Sequence, residues 1–167
     1  MFGLLALAAF AGLLIYAACS DIARLIIPNW VSIALVALFP VAAFVGGAAI
    51  FDVGMHLLFG LGVLAIGFVL FQFNVLGGGD AKLLAAVSVW TGMAAAIPFI
   101  VWTTVAGGML ALALLTARQL IPAGSYPGFV DHLLKKQNGI PYGVAIMIGA
   151  LMAIPSLPFM SSPLTLP

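Results

Sequence analysis

The sequence predicts an all-α integral membrane protein with about six transmembrane helices and both termini on the non-cytoplasmic side. Three observations predict this fold: very few charges, long uncharged stretches between them, and basic residues confined to alternate connections. The 167 residues include five Lys or Arg, four Asp and no Glu, so 5% are charged, against about 25% in an ordinary soluble domain. With 65% hydrophobic residues, this composition excludes a soluble globular domain, a disordered chain and an electrostatic nucleic-acid binder.

The length of the chain agrees with six spans in one polytopic membrane domain over residues 1–167. A spanning helix needs about 20 apolar residues, so six would use roughly 120 and leave short loops in a lipid bilayer. The predicted spans are residues 2–18, 30–50, 55–73, 81 to about 96, 98–117 and 142 to about 160. No positive charge precedes the first span, which is therefore interpreted as a retained helix and not as a cleaved signal.

Proline, asparagine and glycine mark the first breaks between the spans. After the polar segment 20–24, Pro28 and Asn29 start the second helix, because Pro suits a first turn and Asn caps. The residues 52–54, Asp-Val-Gly, predict a tight turn before the third span. The Gly-rich segment 74–80 cannot be regular helix throughout.

The stretch 82–118 is too long to be one spanning helix. It would measure about 55 Å, well beyond a hydrocarbon core of about 30 Å. Thr91, Gly92 and Pro98 therefore predict a break near its middle. In the long polar connection that follows, residues 129–134 are compatible either with a short helix in the membrane interface or with an irregular loop.

Glycines inside the spans predict where helices approach one another closely. They are Gly60, Gly62 and Gly67 in the third span and Gly107 and Gly108 in the fifth.

The basic residues orient the chain in the membrane. They are Arg24, Lys82, Arg118, Lys135 and Lys136. All five fall in alternate connections, which the positive-inside rule assigns to the cytoplasm. This orientation depends on the break between the fourth and fifth spans.

The topology puts two of the four acidic residues, Asp21 and Asp80, at the same membrane face. Two carboxylates a few ångström apart can share one proton, because like charges resist double ionisation. One carboxylate can then act as a base on a water while the other donates a hydrogen bond to the carbonyl under attack. This pairing predicts aspartic-type hydrolysis of a peptide bond.

Both aspartates also have structural interpretations. Asp80 could cap the fourth helix, and Asp21 could pair with Arg24 three residues later. The capping explanation fails for Asp21, which is predicted near a helix C-terminus where the helix dipole disfavours an anion. A charge at the membrane margin without such a benefit indicates function more than structure.

No cofactor or metal site is predicted. The single cysteine, Cys19, excludes an internal disulfide and any CxxC-type zinc site. His56 and His132 are predicted on opposite sides of the membrane, so they cannot share a metal ion.

Two motifs resemble those of the prepilin peptidase family of membrane aspartic proteases. One is Asp21-Ile-Ala-Arg24 followed by Ile27-Pro28-Asn29, and the other is Gly77-Gly-Gly79-Asp80-Ala-Lys82. The second fits the family's Gly-x-Gly-Asp signature. A third segment, residues 140–145, is similar to the start of the family's last helix. The presenilin group shares the Gly-x-Gly-Asp motif, but its Pro-Ala-Leu motif does not occur here.

The resemblance implies a function and an assignment of site residues. Asp21 and Asp80 would be the catalytic pair, with supporting residues Arg24, Pro28, Asn29, Gly77, Gly79 and Lys82. The substrate would be a type IV prepilin-like precursor, cut behind a short leader at the cytoplasmic face of the bacterial inner membrane. The chain resembles the short form of tight-adherence (Flp-type) pilus systems, which lacks the four-cysteine segment associated with methylation. A non-enzymatic membrane subunit or a small transporter is the alternative from the residues alone.

Overall fold

The structure, a computed structural model, describes residues 2–121, 128–135 and 139–157. These residues form α1 (Phe2–Arg24), α2 (Asn29–Val45), α3 (Ile50–Gln72), α4 (Gly78–Thr91), α5 (Ala96–Leu120), α6 (Phe129–Leu134) and α7 (Tyr142–Ala153). A 3₁₀ turn at Ile154–Ser156 follows α7. Throughout these three ranges the regular structure is helical, as the sequence predicts.

Helix lengths and composition support a helical membrane protein. Among the described residues, three helices are long and apolar enough to cross a membrane, namely α1 from Gly3, α3 and α5. Helices α2 and α7 are apolar but shorter, and α4 has only 14 residues. The count of six spans and the location of the termini therefore stay predictions.

Helix α4 lies at the centre of the bundle, in contact with α2, α3 and α7. Its buried positions are Ala81, Leu83 and every residue from 85 to 91. Helix α1 packs on α2 and α7, and α5 packs mainly on α7. A helix buried on nearly all sides presents little surface to lipid, which lets it be shorter than a bilayer is thick.

Close contacts between helices occur at glycines, as the sequence predicts for three of five positions. A Cβ on Gly67 would lie 3.0 Å from Cβ of Ala81 in α4, and one on Gly107 would lie 3.1 Å from the Tyr142 ring in α7. Gly60 is packed similarly against Val89. The prediction is wrong for Gly62 and Gly108, which face open space.

The turn between α2 and α3 lies earlier than predicted. Helix α2 ends at Val45, and Gly47 takes a φ of +83°, which a residue with a side chain rarely adopts. Its neighbours' N–H groups bond back to Ala42 and Ala43, closing the helix end. The predicted turn at 52–54 is wrong, because Asp52 instead lies in the first turn of α3, where the helix dipole favours an anion.

Of two further predicted boundaries, one is correct and one is not. The break between the fourth and fifth helices is confirmed, since α4 ends at Thr91 and α5 begins at Ala96. The last helix ends at Ala153 and passes into a 3₁₀ turn containing Pro155, earlier than the predicted end near 160. Residues beyond 157 lie outside the described range.

The connection between α5 and α7 contains a short helix, so the helical interpretation of residues 129–134 is confirmed. This helix, α6, contacts both α1 and α5. Its location in the membrane interface stays a prediction.

Candidate active site

Asp21 lies one turn before the end of α1 and is only 5% exposed. Its Oδ2 atom accepts a hydrogen bond from the Gly143 N–H at 2.7 Å. Arg24, by contrast, is exposed at the helix end. Asp21 therefore has a backbone partner from α7, and the suggested pairing with Arg24 is not what the structure forms.

Asp80 is the third residue of α4 and is half-buried. Its side chain accepts a hydrogen bond from the backbone of Gly77, the N-cap residue of the same helix. The capping interpretation of Asp80 is thus partly correct, since the carboxylate satisfies one N–H group of the first turn. The same carboxylate also experiences the charge of Asp21.

The structure brings Asp21 and Asp80 together from two separate helices. Both lie where the buried Ile27 packs. Ile27 is 3.1 Å from a Cβ placed on Gly143, the hydrogen-bond partner of Asp21. It is 3.2 Å from a Cβ placed on Gly79, which precedes Asp80. Asp21 is buried and Asp80 is half-buried, and their removal from water strengthens the interaction between two charges. Two carboxyl groups brought near each other in this way make each other harder to ionise.

The two sequence motifs, residues 21–29 and 77–82, contact each other beside the pair of aspartates. A Cβ placed on Gly79 would lie 3.2 Å from Cβ of Ile27 and 3.5 Å from its backbone nitrogen, so the helix start packs directly on the α1–α2 connection. Lys82 donates a hydrogen bond to Oδ1 of Asn29 at 2.9 Å. The segment 21–29 is thereby held against the segment 77–82.

Asn29 and Pro28 have roles different from those that the sequence suggested. Pro28 is the N-cap residue of α2, with extended φ and ψ of −64° and 136°, and no side chain caps the helix. Asn29 is the first helical residue and uses its side chain to accept the bond from Lys82. The prediction that Asn29 caps α2 is therefore wrong.

The connection between α1 and α2 is held by local hydrogen bonds. Leu25 has a φ of +54°, and its N–H donates to the Asp21 carbonyl at 2.8 Å, which closes the end of α1. Ser20 Oγ donates to the Ile26 carbonyl at 2.8 Å. These contacts fix the direction in which the chain leaves Asp21.

Gly77 and Gly143 each leave room beside one carboxylate. A Cβ on Gly77 would lie 2.6 Å from Oδ2 of Asp80, and one on Gly143 would lie 2.9 Å from Oδ2 of Asp21. The sequence singled out Gly77 but did not assign a site role to Gly143. Only the similarity of residues 140–145 to a family motif pointed toward it.

Arg118 is a second residue whose role the sequence did not reveal. It is 8% exposed at the end of α5 and donates to the carbonyls of Leu133 and Gly139, both at 2.9 Å. Gly139 lies four residues before Gly143, so this cation fixes the chain that leads into α7. The sequence used Arg118 only as a marker of topology.

The described basic residues lie at the same end of the bundle as the two aspartates. Arg24 ends α1, Lys82 binds Asn29, Arg118 holds the α6–α7 connection, and Lys135 follows α6. Asp52 and His56 lie at the other end, in the first two turns of α3. Within the described ranges, no group of three His, Cys, Asp or Glu side chains could hold a metal ion.

A comparison with protein families identifies the family of the chain. The model of the type IV leader peptidase family matches residues 8–112, well over half of the chain. The chain belongs to the type IV leader peptidase family. It is therefore a peptidase built as a helical membrane protein. This family membership disfavours the alternative of a transporter. No curated protein and no solved structure matched the chain.

The family match includes both aspartates and both motifs but ends before α6 and α7. The residues that complete the surroundings of Asp21, Gly143 above all, therefore lie outside the matched segment.

Proposed function

We propose that the protein is a membrane-embedded aspartic endopeptidase that removes the short leader from type IV prepilin-like precursors. The observation that carries this proposal is that Asp21 and Asp80, which come from separate helices, lie at the same end of the bundle around the buried Ile27. Both belong to the segment that matches a peptidase family. The site residues, the aspartic mechanism and the precursor substrate are all parts of the proposal.

The proposed chemistry uses one proton shared between two carboxyl groups. Two close carboxylates cannot both ionise easily, so one keeps a proton near neutral pH. The ionised member accepts a proton from a water molecule, which attacks the scissile carbonyl. The protonated member donates a hydrogen bond to the carbonyl oxygen, where negative charge develops.

The proposed location is the bacterial inner membrane, with the aspartates at the cytoplasmic end. The basic residues gathered at that end support this orientation under the positive-inside rule. A precursor whose leader stays in the cytoplasm would present its scissile bond at this depth. Its own apolar helix would lie in lipid beside the enzyme.

Replacement of each aspartate by asparagine tests the proposal. Asp21→Asn and Asp80→Asn keep the side-chain shape but remove the ability to exchange a proton. Each is expected to lower the rate of precursor trimming by about 10²–10⁴-fold or more, the usual contribution of general acid–base catalysis. The rate is measured with purified enzyme and a prepilin-like precursor in detergent or liposomes.

Asp52→Asn is the matched control, because Asp52 is exposed in the first turn of α3 at the opposite end. It is expected to trim the precursor at the wild-type rate. Wild-type trimming by either Asp21→Asn or Asp80→Asn would reject the catalytic pair. Loss of trimming in all three variants would point to a general effect of removing charge.

A further inference from the structure

The contact between Asp21 and α7 joins two parts of the chain that are far apart in sequence. The Gly143 N–H donates to Oδ2 of Asp21 at 2.7 Å, across 122 positions of sequence. Gly143 is the second residue of α7, and no side chain caps this helix. Its N–H therefore belongs to the first turn, whose donors have no partner inside the helix.

The hydrogen bond compensates for an unfavourable location of the carboxylate. Asp21 lies in the last turn and a half of α1, where the helix dipole disfavours negative charge. The N-terminus of α7 has the opposite polarity and faces the same carboxylate. A backbone N–H donated to a carboxylate is a charge-assisted bond, which favours the ionised form.

Only glycine fits at position 143. A Cβ there would lie 2.9 Å from Oδ2 of Asp21, 3.1 Å from Cβ of Asp21 and 3.1 Å from Cδ1 of Ile27. Ile27 is itself buried, so it has little room to retreat. Any larger residue would push the carboxylate away from the N–H that holds it.

We propose that Gly143 is the positioning residue of Asp21. Its N–H holds Oδ2, its lack of a side chain permits the approach, and Oδ1 is left to act on the water. This inference rests on the proposed function, because it assigns Asp21 as the carboxylate that a backbone donor keeps oriented for proton transfer. It adds to the catalytic pair a residue outside the segment that the family model matches.

The other neighbours of Asp21 come from α4, from the α1–α2 connection, from α1 itself and from α6. Asp80 of α4 is the charged group that interacts with it electrostatically. The α1–α2 connection presents the apolar Ile27, and Arg24 on α1 itself is exposed. Helix α6 also contacts α1, and the structure describes the backbone but not the side chains of its residues 131 and 132.

The first experiment measures the hydrogen bond directly by NMR. The chain has one Tyr-Gly pair, Tyr142-Gly143, so labelling with ¹³C′-Tyr and ¹⁵N-Gly isolates a single amide signal. This amide is expected to move downfield as Asp21 ionises, and to lose this titration in Asp21→Asn. A Gly143 amide that does not titrate, or that titrates equally in Asp21→Asn, would overturn the proposal.

The second experiment compares the pH dependence of trimming in Gly143→Ala and wild type. The variant is expected to lose about tenfold or more in kcat with little change in KM, because a displaced carboxylate affects the chemical step more than binding. The acidic limb of the profile is expected to move to higher pH by on the order of one unit, since a carboxylate without its N–H donor holds a proton more strongly.

Two control variants separate positioning from packing. A Cβ on Gly149 would lie 2.9 Å from the Phe99 carbonyl, so Gly149→Ala perturbs α7 away from Asp21 and is expected to leave the acidic limb unmoved. Gly143→Ala combined with Ile27→Val removes Cδ1, one of the crowded atoms. Restoration of the wild-type profile by Ile27→Val would show that Ile27, and not Asp21, transmits the effect, and would refute the proposal.

The two proposals fail in different ways. Trimming by Asp21→Asn would reject the proposed function, and the NMR titration of Gly143 would still report whether the contact exists. A normal acidic limb in Gly143→Ala, in an enzyme that needs Asp21, would reject the positioning role alone. The NMR measurement requires no substrate and no folded Gly143→Ala variant.

Discussion

The two ends of α4 are built from different kinds of contact. At its N-terminal end, glycines and polar side chains surround Asp80. At its C-terminal end, Trp90 is packed among aromatic rings. Both ends connect α4 to α2, through the Lys82–Asn29 bond at one end and the bond from Trp90 Nε1 to the Leu35 carbonyl, 2.9 Å, at the other.

The C-terminal end is held by ring contacts and a buried hydrogen bond. The Trp90 ring lies 4.6 Å from that of Phe10 and 5.8 Å from that of Phe39, centroid to centroid. His56 stacks on Phe39, and its Nδ1 lies 2.8 Å from the Val89 carbonyl. Large buried rings with satisfied polar atoms make a strong anchor.

The N-terminal end has almost no such apolar anchor. Its contacts include the close approaches of Gly79 to Ile27 and of Ala81 to Gly67, and the exposed bond between Lys82 and Asn29. Small residues there bring two backbones together and leave the carboxylate partly accessible. Helix α4 is therefore anchored by buried rings at one end and carries an aspartate of the proposed site at the other. Changes at the two ends should affect different measurable properties.

The largest expected effect is on activity, from a change at the N-terminal end. Gly79→Val would press a branched side chain against Ile27 and displace the start of α4. A misplacement of about 1 Å can cost roughly 10²-fold in rate, so trimming is expected to fall by about that factor. Trimming is measured per folded molecule, with the folded fraction determined by size-exclusion chromatography.

Gly78→Val is the control for Gly79→Val. Its side chain would meet the ring of Phe71, which is exposed and can turn aside. It should therefore retain most of the activity. Equal losses in the two variants would mean that the contact with Ile27 has no special role.

The next largest effect is on stability, from a change at the C-terminal end. Trp90→Ala removes a ring that is 3% exposed together with its hydrogen bond to Leu35. Such truncations of buried aromatic residues cost about 3–5 kcal/mol of unfolding free energy. The activity of the molecules that remain folded should change little. Unfolding is followed by titration with a denaturing detergent.

Trp102→Ala tests whether the burial of Trp90 is the reason for the expected loss of stability. Trp102 lies on α5 and is 44% exposed, so its loss should change the unfolding free energy by less than about 1 kcal/mol. A similar cost for both tryptophans would contradict the idea of an anchor at Trp90. A large loss of specific activity in Trp90→Ala would show that the two ends are not independent.

The smallest expected effect is the coupling between Lys82 and Asn29. A double-mutant cycle with Lys82→Met and Asn29→Ala should give an interaction energy of about 1 kcal/mol, because the bond is exposed to solvent. The unfolding free energies of the four proteins supply this value. An energy close to zero would mean that the two motifs are held together by Gly79 and Ile27 alone.

Much of the bundle followed from local features of the sequence. Gly92 and Pro98 indicated the break between α4 and α5, and the glycine signature located Asp80 at the start of α4. Each of these depends on the backbone preferences of a few neighbouring residues. The errors arose where two local signals competed: the Gly46-Gly47 pair, and not the Asp-Val-Gly segment at 52–54, provides the turn before α3.

Other errors arose because a local pattern has more than one tertiary outcome. Asn29 looked like a cap, but Lys82, 53 positions away, takes its side chain as an acceptor. Gly60 and Gly62 are the same residue type two positions apart, yet only Gly60 faces α4. Packing decides which face of a helix meets a neighbour. Because these helices are apolar on nearly all faces, the sequence does not show which face that is.

The sequence by itself determined that this is a membrane protein with two motif aspartates, because charge is so scarce that its locations are informative. It also indicated the family, which the comparison confirmed. Only the tertiary structure decided which groups surround each carboxylate. The partner of Asp21 is a backbone N–H 122 positions away. Every residue except proline carries such a donor, so residue type and spacing alone do not single it out, and the similarity of residues 140–145 to a family motif indicated only the region.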